Sequence, residues 1–432
     1  MRFEAIIRKL GGTRAEEVAF RRFFRNPKVK AKEILATAAA LTAVAAADRH
    51  VLLIQDTSEI NYQDKAGRKR DLGRVGNGSD VGLFIHPVVV VDADGPADIL
   101  GLGGAMIWRR TKTKVADYQS QPIETKESHR WIEAAQSARA ALPLTPMATM
   151  VADRESDIYE VFARVPQAGR EGMRTHVLVR CHHDRALGQK AGRLSATVEA
   201  WPEAGRARFD LDARPGRSAR AVTLGVRFGE VTLRQPKIGA DPRDPDLIPL
   251  RLVEVREVDP PAGATPVHWR LYTTHQVDTL DQALLIVELY RRRWIIEQVF
   301  RTLKSDGLGI EQSLLADGEA LENLAATALI AAVRVMQCVH ARGEAGQHIP
   351  ALRVFTAQDT PVLTALVRKL QGKTEKQKNP HPVGSLAWAV WVVARLGGWK
   401  GYASERPPGP ITIRNGLARY HAIAEGFALA NL

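Results

Sequence analysis

The chain has 432 residues, 45% of them hydrophobic, which is ample for a sizeable core and for two or three domains. Lys and Arg outnumber Asp and Glu by 61 to 48, and the net charge of +13 favours a polyanionic partner such as nucleic acid. Two cysteines, Cys181 and Cys338, exclude a disulfide framework and suit a reducing cytoplasm, and the apolar runs 34–47 and 324–333 are shorter than the roughly 18 residues of a membrane span, so no membrane partner is expected.

Residues 14–49 have helical periodicity, broken at Asn26-Pro27. "HVLLIQDTSEI" follows as a short apolar run ending in a polar cluster, as a buried strand does, and "VGLFIHPVVVVDADG" and "PADILGLGGAMIWRR" continue a meander. Residues 124–142 predict an amphipathic helix, "MATMVADRESDIYEVFARV" a buried strand running into a helix, and "THVLVRCHH" a fifth strand. This order predicts an α/β layout around a mixed five-stranded sheet with flanking helices. From 184 to 275 the pattern changes to alternation punctuated by Pro and Gly, the mark of a β-rich insertion. Helical periodicity returns in "LDQALLIVELYRRRWIIEQVFRTLK" and at 318–342, and a basic linker (367–382) leads to terminal helices that include "SLAWAVWVVARL" (385–396). The expected domains are 1–49, helical; 50–183 and 276–345, two parts of one core; 184–275, the insertion; and 346–432, a helical C-terminal domain. Neither "GLGG" (101–104) nor "VGNG" (75–78) completes a phosphate-binding loop.

The segment "YRRRWIIEQVFRTLK" (290–304) reads as one helix that sets Glu297 among five basic residues. At about 100° per residue, Tyr290, Arg293, Glu297 and Lys304 share an arc of roughly 60°, opposite an apolar stripe of Ile295, Ile296, Val299, Phe300 and Leu303. A solvated face with ordinary ion pairs such as Arg293 with Glu297 is the plain alternative. Two aspartates, Asp56 after "VLLIQ" and Asp153 after "MATMVA", end buried strands. Each taken singly reads first as a strand-end residue that caps the next turn or helix. A pair of them repels, and a divalent metal with a taste for hard oxygen, Mg²⁺ or Mn²⁺, would supply the missing charge. With Glu297, three carboxylates would cage two ions for an in-line phosphoryl displacement, with Arg293 and Lys304 gripping phosphates and Tyr290 bonding the same strand.

Tyr290, Arg293, Glu297 and Lys304 in the pattern Y-(2)-R-(3)-E-(6)-K, preceded in order by "QDTSEINY" and "ADRESDIY", resemble the signature of the IS-four group of bacterial DDE transposases. The likeness extends from about residue 14 to the C-terminus, through "FFRNPKV", "LVR", "WRLYTT" and "SLAWAVWVVARLGGW". It implies an RNase H-like core interrupted by the insertion, catalytic and metal-binding Asp56, Asp153 and Glu297, and cut-and-paste transposition of double-stranded DNA by a homodimer in a bacterial cytoplasm, at the nucleoid. It also implies that Trp269 stacks on a flipped base during hairpin formation and that Arg180 of "LVR" contacts DNA. Trp269 packed in the core is the alternative; Arg154 and Glu155 are read equally as supports of Asp153 or as surface residues. Members of the group carry a longer N-terminal end-recognition domain, so a shortened chain that inhibits transposition is one alternative function, and a stand-alone RNase H-like nuclease or resolvase another. The sequence does not decide whether Met1 is the natural start.

Overall fold

The computed structural model describes residues 5, 6, 10, 12–63, 67–96, 98–110, 117, 118, 120–169, 172–188, 192–211, 218–402 and 404–430; Met1 lies outside them. In chain order the elements are α1 (Arg14–Arg25), α2 (Ala31–Ala46), β1 (His50–Gln55), β2 (Ser58–Asn61), β3 (Gly73–Val75), β4 (Asp80–Asp92), β5 (Ile99–Trp108), α3 (Arg130–Ala141), β6 (Met147–Ala152), α4 (Tyr159–Arg164), β7 (Arg174–Arg180) and α5 (Leu194–Glu199). They continue as β8 (Gly205–Leu211), β9 (Arg220–Arg234), β10 (Leu247–Glu257), β11 (His268–Thr273), α6 (Leu280–Arg291), α7 (Trp294–Lys304), α8 (Gly318–His340), α9 (Asp359–Leu370), α10 (Leu386–Leu396) and α11 (Pro410–Ala430). The chain packs as two compact units, one of residues 1–49, 57–112 and 295–432 and the other of 50–56 and 113–294.

In the first unit, α1 starts at a capping box, with Thr13 and Glu16 each satisfying the other's backbone N–H, and stops at Asn26 because Pro27 disfavours a helical residue before it. Strand β4 is buried from Gly82 onward and pairs antiparallel with β2, β3 and β5. Helices α2 and α8 cover β5. Gly101 lets α2 come this close: a Cβ there would lie 2.2 Å from the Thr42 hydroxyl.

Helix α8 follows the helical periodicity read at 318–342 and carries the apolar run 324–333 in its middle. It has 23 residues and is long and apolar enough to cross a membrane, yet 78% of its apolar stretch is buried inside the protein, as in a core helix. Helix α10 is buried at every position from Leu386 to Ala394, Trp388 at 3% exposure and Trp391 at 5%, and it packs against α9 and α11. The all-round apolar pattern of 385–396 is thus accounted for within this unit.

In the second unit β1, β6 and β7 run parallel. Antiparallel pairing then continues the same sheet from β7 through β11, β10 and β9 to β8. The β-rich stretch is therefore an extension of the sheet that carries β1 and β6. Trp131 and Ile132 from α3, Phe162 from α4, Val177 and Val179 from β7, and Leu250, Leu252 and Tyr272 from the extension share one core. Strand β8 alternates between half-buried and exposed positions, so its pattern emerges only from its pairing with β9.

Candidate active site

The β1–β6 ladder pairs His50 with Met147 and keeps that offset to Ile54 with Val151. The offset is 97 residues (147 minus 50), the same as the spacing of Asp56 and Asp153. Asp56 directly follows β1 and Asp153 directly follows β6, so each aspartate comes one residue after the end of its strand. The β6–β7 ladder pairs Ala152 with Val179, so its next step brings Arg180 level with Asp153. The parallel strands β1, β6 and β7 thus end at or just before Asp56, Asp153 and Arg180, and the carboxyl ends of strands are where open α/β sheets hold ligands.

All three are half-buried. Asp56 Oδ2 meets Arg293 Nη1 at 3.1 Å, both side chains being about one-sixth exposed. Asp153 Oδ1 accepts the Glu155 N–H at 2.9 Å and caps the short turn Arg154–Ser156. The capping role considered for Asp153 is real, and it engages one of the two carboxylate oxygens. Glu155 is exposed and pairs with Arg130 at 2.9 Å, which fits the surface reading of that residue.

Arg180 ends β7, and its Nη2 donates to the His268 carbonyl at 3.1 Å, next to Trp269 on β11. Trp269 is half-buried and stands edge-on to Tyr290, with ring centroids 5.4 Å apart and planes at 66°. Tyr290 is only 5% exposed. Burial raises its phenol's pKa, while Arg293 and Arg180 pull it down and Asp153 pushes it further up. Six of the eight residues singled out from the sequence, Asp56, Asp153, Arg180, Trp269, Tyr290 and Arg293, therefore belong to one unit and are linked through contacts and mutual fields within it.

The segment 290–304 is two helices instead of one. α6 ends at Arg291, Arg292 and Arg293 form a turn in which the Arg293 N–H donates to the Tyr290 carbonyl at 3.0 Å, and α7 starts at Trp294. The turn lets two guanidinium groups diverge: Arg291 lies over the Phe209 ring and donates to the Asp210 carbonyl, whereas Arg293 reaches Asp56. The single arc of four polar groups is corrected accordingly. Glu297 and Lys304, seven residues apart, still share a face of α7, whose Ile295, Ile296, Val299, Phe300 and Leu303 are buried. Both are half-buried, and Lys304 Nζ lies 3.8 Å from Glu311 Oε1.

Asp157 was missed in the sequence. Its carboxylate is fully buried and accepts the His182 and His183 N–H groups at 2.7 and 3.0 Å and both Nε and Nη2 of Arg185 at 3.1 and 2.8 Å. It fastens the turn that follows Arg180. The available signal was a second aspartate four residues after Asp153 in "DRESD".

Among the described residues no group of three or more His, Cys, Asp or Glu stands as a metal cluster. Asp56 and Asp153 carry the hard oxygen donors that Mg²⁺ and Mn²⁺ take, and here the Arg293 guanidinium furnishes the countercharge at Asp56. Residues 107–334, just over half of the chain, match the family model described as a transposase DDE domain. The matched span contains every predicted site residue except Asp56.

Proposed function

Because the chain belongs to the transposase DDE domain family, we propose that it is a DNA transposase of the IS-four group that performs cut-and-paste transposition on an RNase H-like core. Transposases act on DNA, and DDE domains generally use divalent metal ions. In this reading Asp56, Asp153 and Glu297 hold two Mg²⁺ ions, or Mn²⁺ in their place, with Glu297 assigned by the Y-R-E-K spacing. When bound, such ions activate a water or 3′ hydroxyl and stabilise the leaving oxygen of phosphoryl transfer. The chain's own groups do the positioning. Arg293 trades its Asp56 partner for a phosphate oxygen, and Arg180 and Lys304 add charge-assisted hydrogen bonds to the backbone. Trp269 offers a ring to an extruded base, and buried Tyr290 packs edge-on against that ring. Two protomers pair to hold two DNA ends.

The observation that supports the reading is the parallel β1–β6 ladder, whose offset of 97 residues equals the spacing of Asp56 and Asp153 beyond the carboxyl ends of the two strands. The test is nicking of a duplex bearing the inverted repeats that flank the coding sequence. Glu297→Gln should abolish cleavage in Mg²⁺ and in Mn²⁺; near-normal cleavage by that variant removes Glu297 from the proposed metal site.

A further inference from the structure

Lys304 closes α7, and the residues after it fold back on the helix. The Leu308 N–H donates to the Thr302 carbonyl at 3.0 Å, and Gly309 adopts φ +63°, a left-handed conformation that favours glycine. A short 3₁₀ turn, Ile310–Gln312, then brings Glu311 to Lys304. The same carboxylate oxygen, Oε1, accepts the Asn61 N–H at 3.0 Å. This anchor is itself stitched down: Lys69 Nζ donates to the carbonyls of Ser313 and Leu315, each at 2.6 Å, and the Arg70 N–H donates to that of Ala316 at 2.8 Å. Lys69 also lies 4.5 Å from the centre of the Tyr62 ring. Asn61 and Tyr62 are the end of "QDTSEINY", a part of that motif to which the proposed chemistry gives no task.

A lysine is a compact charge on a flexible stem, and aiming it costs side-chain entropy unless something fixes the head. At 3.8 Å the Glu311 carboxylate attracts the ammonium without taking a hydrogen bond from it, so the N–H donors remain available to another acceptor. Both side chains are about one-quarter to one-third exposed, within reach of a ligand at the surface. We propose that Glu311 is a positioning residue: held by the Asn61 N–H, it aims the Lys304 ammonium at a phosphate of bound DNA. The proposal rests on the reading of Lys304 as a DNA contact.

The two ideas separate in a double-mutant cycle on the full chain, with cleavage of the inverted-repeat duplex at saturating DNA and affinity for that duplex by fluorescence anisotropy as readouts. Glu311→Gln keeps an acceptor for Asn61 and removes the charge. Its cleavage rate should fall roughly tenfold, because a misplaced contact costs rate, while affinity stays the same or tightens, because a negative charge has left the DNA face. A merely structural role would weaken both together. Glu311→Asp, charged but shorter, should fall in between. Lys304→Ala should be slow, and adding Glu311→Gln to it should cost nothing more. Lys304→Ala at the wild-type rate overturns the reading of Lys304 and the inference with it. A slow Lys304→Ala beside a wild-type Glu311→Gln, or fully additive losses, overturns the inference alone.

Discussion

The two ends of the parallel strands β1, β6 and β7 each gather polar side chains, and they solve the problem oppositely. At the N-terminal end, His50 Nε2 and His275 Nε2 each lie 2.8 Å from the buried Thr149 hydroxyl, His176 Nδ1 is 3.2 Å from the Thr274 hydroxyl, and His176 stacks on His275 at 3.9 Å. One hydroxyl between two imidazoles donates to one and accepts from the other, so the cluster is satisfied while neutral. At the C-terminal end Asp56 follows β1 and Asp153 follows β6, and Arg293 pairs with Asp56 from outside the strands. The histidine cluster closes on itself, whereas in the proposed reading the aspartates at the other end take up a cation.

The sharpest way to break this contrast is Asp153→Asn. The amide still caps the Arg154–Ser156 turn, while one of the two negative charges at this end disappears. Cleavage should fall about a thousandfold or more while the thermal midpoint holds or rises slightly. A large drop in midpoint with modest loss of cleavage would make this end structural too.

The histidine end should show itself in pH instead of in catalysis. Burial, then the neighbouring His176 and His50, lower the pKa of His275 to about 3. The unfolded chain takes up this proton near the ordinary value of about 6.5 and the folded chain does not, so this contribution to stability is intact above that pH and is lost as the pH falls toward the folded value. Thermal midpoints measured from pH 7 to pH 5 should therefore decline, and His275→Asn, uncharged throughout, should decline less steeply. Equal slopes would mean that the cluster tolerates protonation.

Smaller effects belong to the DNA contacts. Trp269→Ala should slow hairpin formation about tenfold more than first-strand nicking, because only the hairpin step takes a base out of the stack. Equal slowing would return Trp269 to a packing role against Tyr290. Arg180→Ala should weaken DNA binding a few-fold and reduce the slope of log affinity against log salt by about 1, whatever the DNA sequence.

Much of this was legible because periodicity survives in sequence. The buried runs of β1, β4, β6 and β7 and the break at Asn26-Pro27 follow from local chemistry. The match of the Asp56–Asp153 spacing to the ladder did not: a spacing of 97 residues acquires meaning only once the ladder offset is known, and register is a tertiary property. The turn at Arg292–Arg293 was hidden for a related reason. Arginine is a good helix former, and the pull of Asp56 on Arg293 comes from a strand more than 200 residues away in sequence. Asp157 and Glu311 escaped notice because a carboxylate in a loop looks solvated until its backbone donors are placed around it.

The central claim, that the strand-end aspartates form a divalent-metal site, is tested most directly by Mn²⁺ binding to the full chain without DNA, followed by the loss of the free-ion electron paramagnetic resonance signal. The wild-type protein should bind, and Asp56→Asn and Asp153→Asn should each weaken binding about tenfold or more while both variants stay folded. Mn²⁺ affinity unchanged in both folded variants would contradict the account.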